Sequence, residues 1–390
     1  MSAPSTPAAK APPSRAHRFR IFWERVTEGL ELEQLWSQVL SDAKATYGLY
    51  SADVDWDEIK RETRGPGRLV FRSAWALFQA MLMKLSPARR VLLLLAIVLL
   101  VFQTDVGSGN HRFTIHFGWI GTLILFLLLA LELADRVTMK RDLEIAREIQ
   151  QWLVPSKAPS VPGFDIAFAT RPQNTVAGDY YDAFLRPLPD AGGEQPLLII
   201  VADVAGKSVP AALLMATFQA SLRALSATSA SLAEVVAGLD RYARAHSLEG
   251  RRFTTAFLAQ INPKTLEMQY TNAGHNDPLL RRASGQIERL STGGPPFGLP
   301  LLTDSELTYQ SATVQLQPGD LLFIFTDGVI EAVDDHGDEF GESRLLPQIQ
   351  SAPYEPAGTT LQRVMANVNA FVGFARQHDD ITCMVVRANA

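Results

Sequence analysis

The hydrophobic pattern of this chain changes at Pro155 and Pro159, and the change limits the folds that the chain can adopt. Before these two prolines, apolar residues recur at helical spacing or form continuous runs. After them, short apolar runs typical of β-strands alternate with longer helical stretches. Proline interrupts a helix, so the two residues end the helical region. The sequence therefore predicts helical segments first and an α+β domain with a layered core over residues 156–390.

Strand-like and helical patterns together indicate the class of this second region. Two strong helical stretches, Pro210–Leu225 and Ser231–Ala245, lie between the predicted strands. Strands combined with clustered helices are typical of an α+β domain. The predicted strands are Phe164–Ala169, Leu197–Val201, Phe253–Ile261, Glu267–Thr271, Leu321–Phe325 and Thr382–Val386.

The first 88 residues are predicted to form two regions. Residues 1–15 are rich in Pro, Ala and Ser, cannot bury enough apolar surface to order, and are predicted to be a disordered tail without the layout of a signal peptide. Residues 16–88 contain helical patterns, one beginning at Phe19 and another over Val70–Met83. These patterns suit either a cytoplasmic helical domain or a set of interfacial helices, and both interpretations stay open.

Residues 89–133 carry two apolar runs. Val91–Phe102 has no charge but is shorter than the roughly 20 residues that cross a bilayer, so a buried core helix is its alternative interpretation. Phe113–Leu131 is longer and contains no Asp, Lys or Arg. Basic residues such as Arg89 and Arg136 flank the pair on both outer sides. The positive-inside rule therefore favours a transmembrane helical hairpin with both ends in the cytoplasm.

Residues 134–155 are predicted to form one charged linker helix with an apolar stripe. A stripe at this spacing suits a coiled-coil-like contact with a second copy of the chain, which predicts a homodimer. The same stripe also suits docking on the helix's own C-terminal domain, and the sequence does not separate the two interpretations. The stripe consists of Met139, Leu143, Ala146 and Leu153, with Ile145, Ile149 and Trp152 beside it.

Charge and cysteine content exclude several classes of protein. The formal net charge of −5 and the pI near 5.9 argue against nucleic acid as a partner. The single cysteine, Cys383, excludes an intramolecular disulfide and a multi-cysteine zinc site. Cys383 lies in the apolar run Ile381–Val386, so we expect a buried strand residue rather than a catalytic thiol.

Four aspartates stand at the end of an apolar strand pattern or beside a glycine. Several carboxylates without His or Cys suit hard cations that prefer oxygen ligands, such as Mg²⁺ or Mn²⁺. Like charges repel, so the cluster would need these cations to persist. The spacing alone therefore predicts a two-metal hydrolase, with Asp182 and Asp380 beside the set as turn or cap residues or as supports of the ligands. The four aspartates are Asp179, Asp203, Asp327 and Asp379.

Seven motifs occur in order between Glu148 and Arg387: EIQQWLVP, VAGDYYDAF, DVAGKSVPAALLMA, NAGHNDPLL, FTDGVIEA, FG and DDIT. In combination they resemble the bacterial SpoIIE-type branch of the PPM phosphatases, the protein phosphatase 2C-like family. The resemblance implies an α-β-β-α sandwich with a binuclear Mn²⁺ or Mg²⁺ centre between two sheets. It further implies a protein serine/threonine phosphatase that uses metal-activated water and forms no phosphoenzyme.

The same resemblance implies a ligand set. Asp203 resembles the bridging ligand, with the backbone carbonyl of Val204 helping. Asp327 and Asp379 resemble the remaining ligands of one ion. Asp179 resembles the acidic residue that serves the second ion, partly through water.

The chain also departs from the family's pattern. Ala205 stands where eukaryotic relatives have a His proposed as general acid, and their phosphate-holding Arg has no evident counterpart here. Ser208 replaces a frequent Gly and is predicted to cap the following helix. Lys207 is predicted either to screen the substrate phosphate or to be solvated, and His275 and Asn272 are expected to organise a loop rather than to bind metal.

By resemblance, the expected substrate is a phosphoserine or phosphothreonine on a small partner protein, typically a STAS-type anti-anti-sigma factor. The resemblance also implies that the helices Pro210–Leu225 and Ser231–Ala245 form a movable element, on which the linker helix could press. Together with the hairpin, these expectations predict a signalling phosphatase of the bacterial inner membrane with a cytoplasmic catalytic domain.

Three alternatives are weighed against this interpretation. A pseudophosphatase would bind a phosphorylated partner without hydrolysing it, but retention of all four aspartates argues against it. A hydrolase of small phosphoesters or nucleotides is disfavoured by the resemblance and by the lack of a nucleotide motif such as a Walker loop. A protein with no membrane hairpin is the third alternative.

Overall fold

The structure, a computed structural model, describes most of the chain from residue 66 onward. The described residues are 51, 54, 56, 59, 61, 66–101, 103–106, 113–187, 195–247, 250, 252–299, 309–352 and 354–389. The predicted disordered tail, residues 1–15, and the helical pattern that begins at Phe19 lie outside the described residues. The chain divides into two compact units, Met1–Asp135 and Arg136–Ala390.

The described part of the N-terminal unit consists of helices and a short β-hairpin. Helix α1 spans Pro66–Lys84 and α2 spans Pro87–Val101. Each begins with a proline, whose fixed φ and missing N–H suit the first helical turn. The strands β1, Gln103–Val106, and β2, Phe113–His116, pair in antiparallel fashion. Helix α3, Gly118–Leu153, follows them.

The predicted transmembrane hairpin is not confirmed. Helix α2 covers the first apolar run, Val91–Phe102, up to Val101. The second run, Phe113–Leu131, begins as strand β2 rather than as a helix, because its first residues pair with β1. Within the ranges given above, no helix combines the length and the apolar character needed to cross a membrane.

Helix α3 joins the second apolar run and the predicted linker into one element that ends before Pro155. Most of the predicted stripe is half-buried, whereas the apolar residues beside it are exposed. The two interpretations of the linker, docking and dimer formation, therefore involve different faces of this helix. The half-buried positions are Leu143, Ala146 and Leu153, and the exposed ones are Ile145, Ile149 and Trp152.

The C-terminal unit contains two facing β-sheets. Their strands are β3 (Phe164–Arg171), β4 (Tyr180–Leu185), β5 (Leu197–Val204), β6 (Thr254–Ile261), β7 (Glu267–Ala273), β8 (Leu279–Arg281), β9 (Ile287–Arg289), β10 (Gly293–Gly294), β11 (Ala312–Gln315), β12 (Leu321–Phe325) and β13 (Ile381–Ala388). The first sheet has the order β10-β7-β6-β5-β4, with β11 also paired to β7. The second has the order β3-β13-β12-β8-β9. Apart from β10 with β7, the described neighbours in both sheets are antiparallel.

The core between the sheets follows from the alternation of side chains along each strand. In β5, Leu197 and Ile199 lie between the sheets, whereas Leu198 faces the outer helices. Leu322 and Ile324 of β12 meet the inner side chains from the second sheet. Successive side chains of a strand point to opposite faces, so a strand buried on both faces becomes a continuous apolar run.

Helices cover both outer faces of the sheets. Helix α4, Ser208–Thr228, and α5, Leu232–Ala245, pack on the first sheet. Helix α6, Gly341–Gln350, and α7, Ala357–Val372, pack on the second sheet. The unit is therefore an α-β-β-α sandwich, which confirms the predicted α+β fold class.

All six predicted strands of this unit are present, and both predicted helices lie within three residues of their predicted ends. The sequence pattern missed β4, where a buried charge, Asp182, interrupts the apolar residues. It also missed α6, which contains Pro347, and α7, whose first turn contains the poor helix formers Gly358 and Thr359. Tertiary packing overrides these weak local preferences.

Replacing one inner aromatic side chain tests the packing between the sheets. Phe257 is 0% exposed in that core, so Phe257→Ala is expected to lower the free energy of unfolding by about 3–5 kcal/mol. Phe374 is 99% exposed, so Phe374→Ala is the matched control, with a change below about 0.5 kcal/mol. Urea denaturation followed by circular dichroism measures both variants. Equal losses in the two would contradict the assigned core.

Candidate active site

Five aspartates meet at one end of the sandwich. Asp203 is the second-last residue of β5 and shares the inner face with Leu197 and Ile199. Asp327 follows β12 after one residue, Thr326, and two further aspartates precede β13. The antiparallel pairing of β12 with β13 brings Asp327 near the two aspartates that precede β13, and Asp203 of the other sheet interacts with all three. The five residues are Asp179, Asp203, Asp327, Asp379 and Asp380.

The pKa values of these carboxyls show that they interact. Burial, followed by the charges of Asp327, Asp379 and Asp380, raises the pKa of Asp203 to about 7. Burial also raises the pKa of Asp179 well above its ordinary value, and the charges of Asp203 and Asp380 add to the effect. The pKa of Asp327 is raised by burial and by Asp379. The structure thus brings together all four aspartates that the sequence singled out, and Val204 lies beside Asp203.

The chemistry of this donor set suits a hard divalent cation. Every side-chain donor is a carboxylate oxygen, and the mutual repulsion that raises the pKa values would be relieved by a cation. In the part of the chain that the structure describes, however, no three acidic, His or Cys side chains converge closely enough to hold a metal ion. The carboxylates are therefore close enough to interact electrostatically but do not close around one point in this conformation.

Asp179 is held from the second sheet. The Thr326 hydroxyl donates a hydrogen bond of 3.0 Å to its Oδ2 atom. The Thr326 oxygen in turn accepts a 3.0 Å hydrogen bond from the backbone N–H of Thr382. Asp179 is 5% exposed, so this carboxylate depends on protein partners rather than on bulk water for its orientation.

The sequence left two roles open for Asp380, a turn or cap residue or a residue that supports the metal ligands. Its two carboxylate oxygens accept hydrogen bonds of 2.6 Å from the backbone N–H groups of Gln173 and Gly178. It also raises the pKa of Asp179 and of Asp203. Asp380 therefore fixes the loop that carries Asp179. The only feature of the sequence that pointed to this role was the position of Asp380 next to Asp379 in the motif DDIT.

Two glycines allow the chain segments of the site to approach one another. A Cβ atom on Gly328 would lie 2.0 Å from the carbonyl oxygen of Asp380, which no side chain tolerates. A Cβ atom on Gly178 would lie 3.1 Å from the carbonyl oxygen of Val204. Close backbone contact thus requires glycine at position 328 in TDG, whereas at position 178 in VAGD a side chain would be tightly packed.

Lys207 is the cation beside these acids. Its ammonium group lies 3.4 Å from Oδ2 of Asp379 and donates a 2.5 Å hydrogen bond to the His378 carbonyl oxygen. The Lys207 charge also opposes the rise in the pKa of Asp327. The predicted cap role of Ser208 is wrong, because its φ of 62° places it in the left-handed region and the cap position is Lys207.

The NAGH loop is organised by Asn272, as expected. Its side chain accepts a 2.7 Å hydrogen bond from the backbone N–H of His275 and donates a 3.0 Å bond to the His275 carbonyl. Burial lowers the pKa of His275 to about 4, so its ring is neutral near pH 7. One ring nitrogen, Nδ1, is 3.2 Å from the hydroxyl of Thr255, which pairs with Asp203 across the sheet.

Two other polar or reactive groups are structural. Asp182 is fully buried and accepts a hydrogen bond from the Tyr180 hydroxyl at 2.7 Å and from Arg223 at 2.6 Å. It therefore ties β4 to α4. Burial raises the pKa of the Cys383 thiol, so this cysteine is the inert strand residue that the sequence predicted.

Comparison with known protein families shows to which family the chain belongs. The family model of Stage II sporulation protein E (SpoIIE) matches residues 193–389, half of the chain. The chain belongs to the SpoIIE family. The family match includes Asp203, Asp327 and Asp379, and the predicted assignment to the SpoIIE-type, PP2C-like serine/threonine phosphatases is confirmed.

Characterised relatives resemble a larger part of the chain. Protein IcfG of Synechocystis is 26% identical over 74% of this chain and 48% of its own length. The phosphoserine phosphatase RsbU of Bacillus subtilis is 27% identical over 64% of this chain and 70% of its own length. The chain thus spans about half the length of the first relative and most of the second.

Solved structures share the fold. The SiaA PP2C domain of Pseudomonas aeruginosa aligns with a TM-score of 0.56 at 21% identity, covering 65% of this chain and 98% of that domain. The RsbU and RsbW domains of a Mycobacterium tuberculosis protein align with a TM-score of 0.50 at 24% identity, covering 60% of this chain and 63% of that one. The SpoIIE-family chain therefore has a PP2C-like sandwich.

The raised pKa of Asp203 predicts a specific pH dependence of stability without metal. Between about pH 4 and pH 7, the unfolded chain loses the Asp203 proton first, so folding becomes less favourable as the pH rises. Asp203→Asn removes this penalty. In EDTA at pH 8, the free energy of unfolding of Asp203→Asn is expected to be about 1–3 kcal/mol higher than that of the wild type. At pH 4, the two free energies of unfolding are expected to be almost equal.

Urea denaturation at the two pH values measures this difference. Asp335→Asn serves as the control, because Asp335 is exposed and outside the cluster. A difference between Asp203→Asn and wild type that is the same at pH 4 and pH 8 would show that charge repulsion is not its cause.

Proposed function

We propose that this SpoIIE-family chain is a metal-dependent phosphatase that removes phosphate from phosphoserine or phosphothreonine on a regulatory partner protein. The observation that carries the proposal is the cluster of five carboxyls at the end of the sandwich, in which burial and then neighbouring carboxylates raise the pKa values of Asp179, Asp203, Asp327 and Asp380. A structural role does not require so much negative charge in one place, because each added carboxylate costs free energy. Membership of the family and the likeness to RsbU support the same activity.

The proposed metal ligands are the carboxylates of Asp203, Asp327, Asp379 and Asp179, with the carbonyl oxygen of Val204. When bound, two Mn²⁺ or Mg²⁺ ions would supply Lewis acidity to water and to the phosphoryl oxygens. The protein's own contribution is orientation: β5 and β12 hold two ligands by strand register, and Asp380 and Thr326 fix Asp179. The segments of the cluster have to draw closer together than in this conformation.

Lys207, Ala205 and His275 are the positions to consider for attraction of the substrate phosphate and for proton transfer to the leaving group. The Lys207 ammonium group, beside Asp379, is placed to attract the phosphate dianion of a substrate. Ala205 offers no proton, and His275 is buried and neutral near pH 7. We therefore infer that the leaving serine or threonine oxygen takes its proton from water rather than from either of these positions.

An assay with the full chain tests the activity. Hydrolysis of p-nitrophenyl phosphate and of a phosphoserine peptide is expected with Mn²⁺ or Mg²⁺ and not with EDTA. Asp203→Asn and Asp327→Asn are each expected to lower the rate by roughly 100-fold or more, because each removes a ligand charge in a site of low solvent access.

Asp335→Asn is the matched control, and its rate is expected to equal that of the wild type. A folded chain that binds Mn²⁺ and the phosphopeptide without hydrolysing it would instead support the pseudophosphatase alternative. Hydrolysis of small phosphoesters at a higher kcat/KM than any phosphopeptide would support the small-molecule alternative.

The proposed partner is a phosphorylated regulatory protein of a sigma-factor pathway, such as a STAS-type anti-anti-sigma factor. This assignment rests on the likeness to RsbU and on the RsbW domain that accompanies the aligned domain of the Mycobacterium tuberculosis protein. We also propose a homodimer through α3, whose exposed Ile145, Ile149 and Trp152 offer an apolar face at helical spacing.

Anchoring in the bacterial inner membrane, with the catalytic unit in the cytoplasm, stays a prediction. It is supported by the two apolar runs of residues 89–133 and by the flanking basic residues. We expect the full chain to sediment with bacterial membranes and to require detergent for release, whereas residues 134–390 alone stay in the supernatant. Release of the full chain by alkaline carbonate without detergent would exclude a spanning hairpin.

A further inference from the structure

The last turns of α3 contact the loop before Asp179 through one side chain. The Gln150 amide nitrogen donates a 2.7 Å hydrogen bond to the carbonyl oxygen of Ala177. Its amide oxygen accepts a 2.9 Å hydrogen bond from the N–H of the same residue. A glutamine is one of the few side chains that can satisfy both backbone groups of a residue at once. This pair of bonds fixes the position and the orientation of the Ala177 peptide groups.

The position of Ala177 affects the candidate metal site directly. Asp179 follows two residues later, so a shift of Ala177 reaches its carboxylate through only one intervening residue, Gly178. Gly178 is itself fixed by Asp380, which accepts a 2.6 Å hydrogen bond from its N–H. The loop is therefore held from two sides, by the linker helix through Gln150 and by the acid cluster through Asp380.

A cavity lies beside these bonds. It has a volume of about 180 Å³ and lies between the last turns of α3 and the sandwich. Gln150, Ala177 and Asp179 all line it, as do Arg147 and Tyr181. Atoms that line a void lack packing contacts on that side, so the polar bonds of Gln150 supply a larger part of the attachment there.

We propose that Gln150 is a positioning residue through which the linker helix sets the place of Asp179 and thereby the affinity of the centre for metal. The proposal rests on the proposed function and adds a regulatory route to it. A rotation or shift of α3 moves the Gln150 amide, the amide moves Ala177, and Asp179 moves toward or away from the other carboxylates. This route differs from pressure of the linker on α4 and α5, because it acts on the loop of a ligand itself.

The full chain with Gln150→Ala tests the proposal by two measurements that do not depend on activity. Hydrogen–deuterium exchange of the metal-free protein is expected to become faster in the backbone amides of residues 174–179. Calorimetric titration with MnCl₂ is expected to show a dissociation constant roughly 10-fold higher or more, as for other residues that orient metal ligands. Because ligand position is altered and ligand charge is not, kcat at saturating Mn²⁺ should recover most of the wild-type value.

Two further variants make the result specific. Gln150→Glu keeps an acceptor for the Ala177 N–H but cannot donate to the Ala177 carbonyl, so its exchange rate and metal affinity are expected to lie between those of wild type and Gln150→Ala. Glu148→Gln is the matched control, because Glu148 is exposed, lies in the same helical turn as Gln150 and does not line the cavity, and both readouts should equal those of the wild type.

The outcomes separate this proposal from the proposed function. Exchange and Mn²⁺ affinity in Gln150→Ala equal to those of wild type would overturn the role of Gln150, whatever the activity. A wild-type chain without metal-dependent hydrolysis would contradict the proposed function, while faster exchange and weaker Mn²⁺ binding in the variant would still support the positioning role. If circular dichroism shows that Gln150→Ala does not fold, the exchange rate and the Mn²⁺ affinity of Gln150→Glu test the proposal instead.

Discussion

The repulsion among buried carboxylates is the constraint on which the rest of this structure depends. Asp179, Asp203, Asp327 and Asp380 share a region from which water is largely excluded, and their pKa values are raised as a result. Such a group holds together only if each member is attached to backbone that cannot move away. The two sheets provide that attachment, because a ladder of antiparallel hydrogen bonds fixes the register of β5 and β12.

The outer helices add to this rigidity unevenly. Helix α4 starts four residues after Val204, and its Arg223 is paired with the buried Asp182 of β4. The N-terminal end of α4 is therefore close to β5, while its C-terminal part is attached to the neighbouring strand β4. Lys207 stands in the connection and reaches Asp379 of the second sheet. A movement of α4 would consequently displace groups that contact both sheets, and the movable element that the family resemblance implies for this segment stays a prediction.

The sequence allowed the layered core to be predicted, and the four aspartates that it singled out lie in one region of the structure, for a physical reason. Strands buried on both faces are continuous apolar runs, and an aspartate at the end of such a run is easily recognised. The roles of Asp380 and Gln150 could not be read in this way, because their partners, Gly178 and Ala177, lie far away along the chain. The left-handed backbone of Ser208 and the strand β2 also depend on tertiary contacts that local pattern does not encode.

The motif EIQQWLVP acquires a physical meaning from these contacts. Pro155 stops the helix within two turns of Gln150, so the glutamine is kept at the end of a rigid rod and beside the loop of Asp179. Leu153 faces inward from the same turns, whereas Trp152 is 81% exposed. One short segment thus combines an exposed apolar face, a helix terminus and hydrogen bonds to the loop that carries Asp179. If a contact on the exposed face rotated or shifted this rod, the two hydrogen bonds of Gln150 would carry the displacement to Ala177.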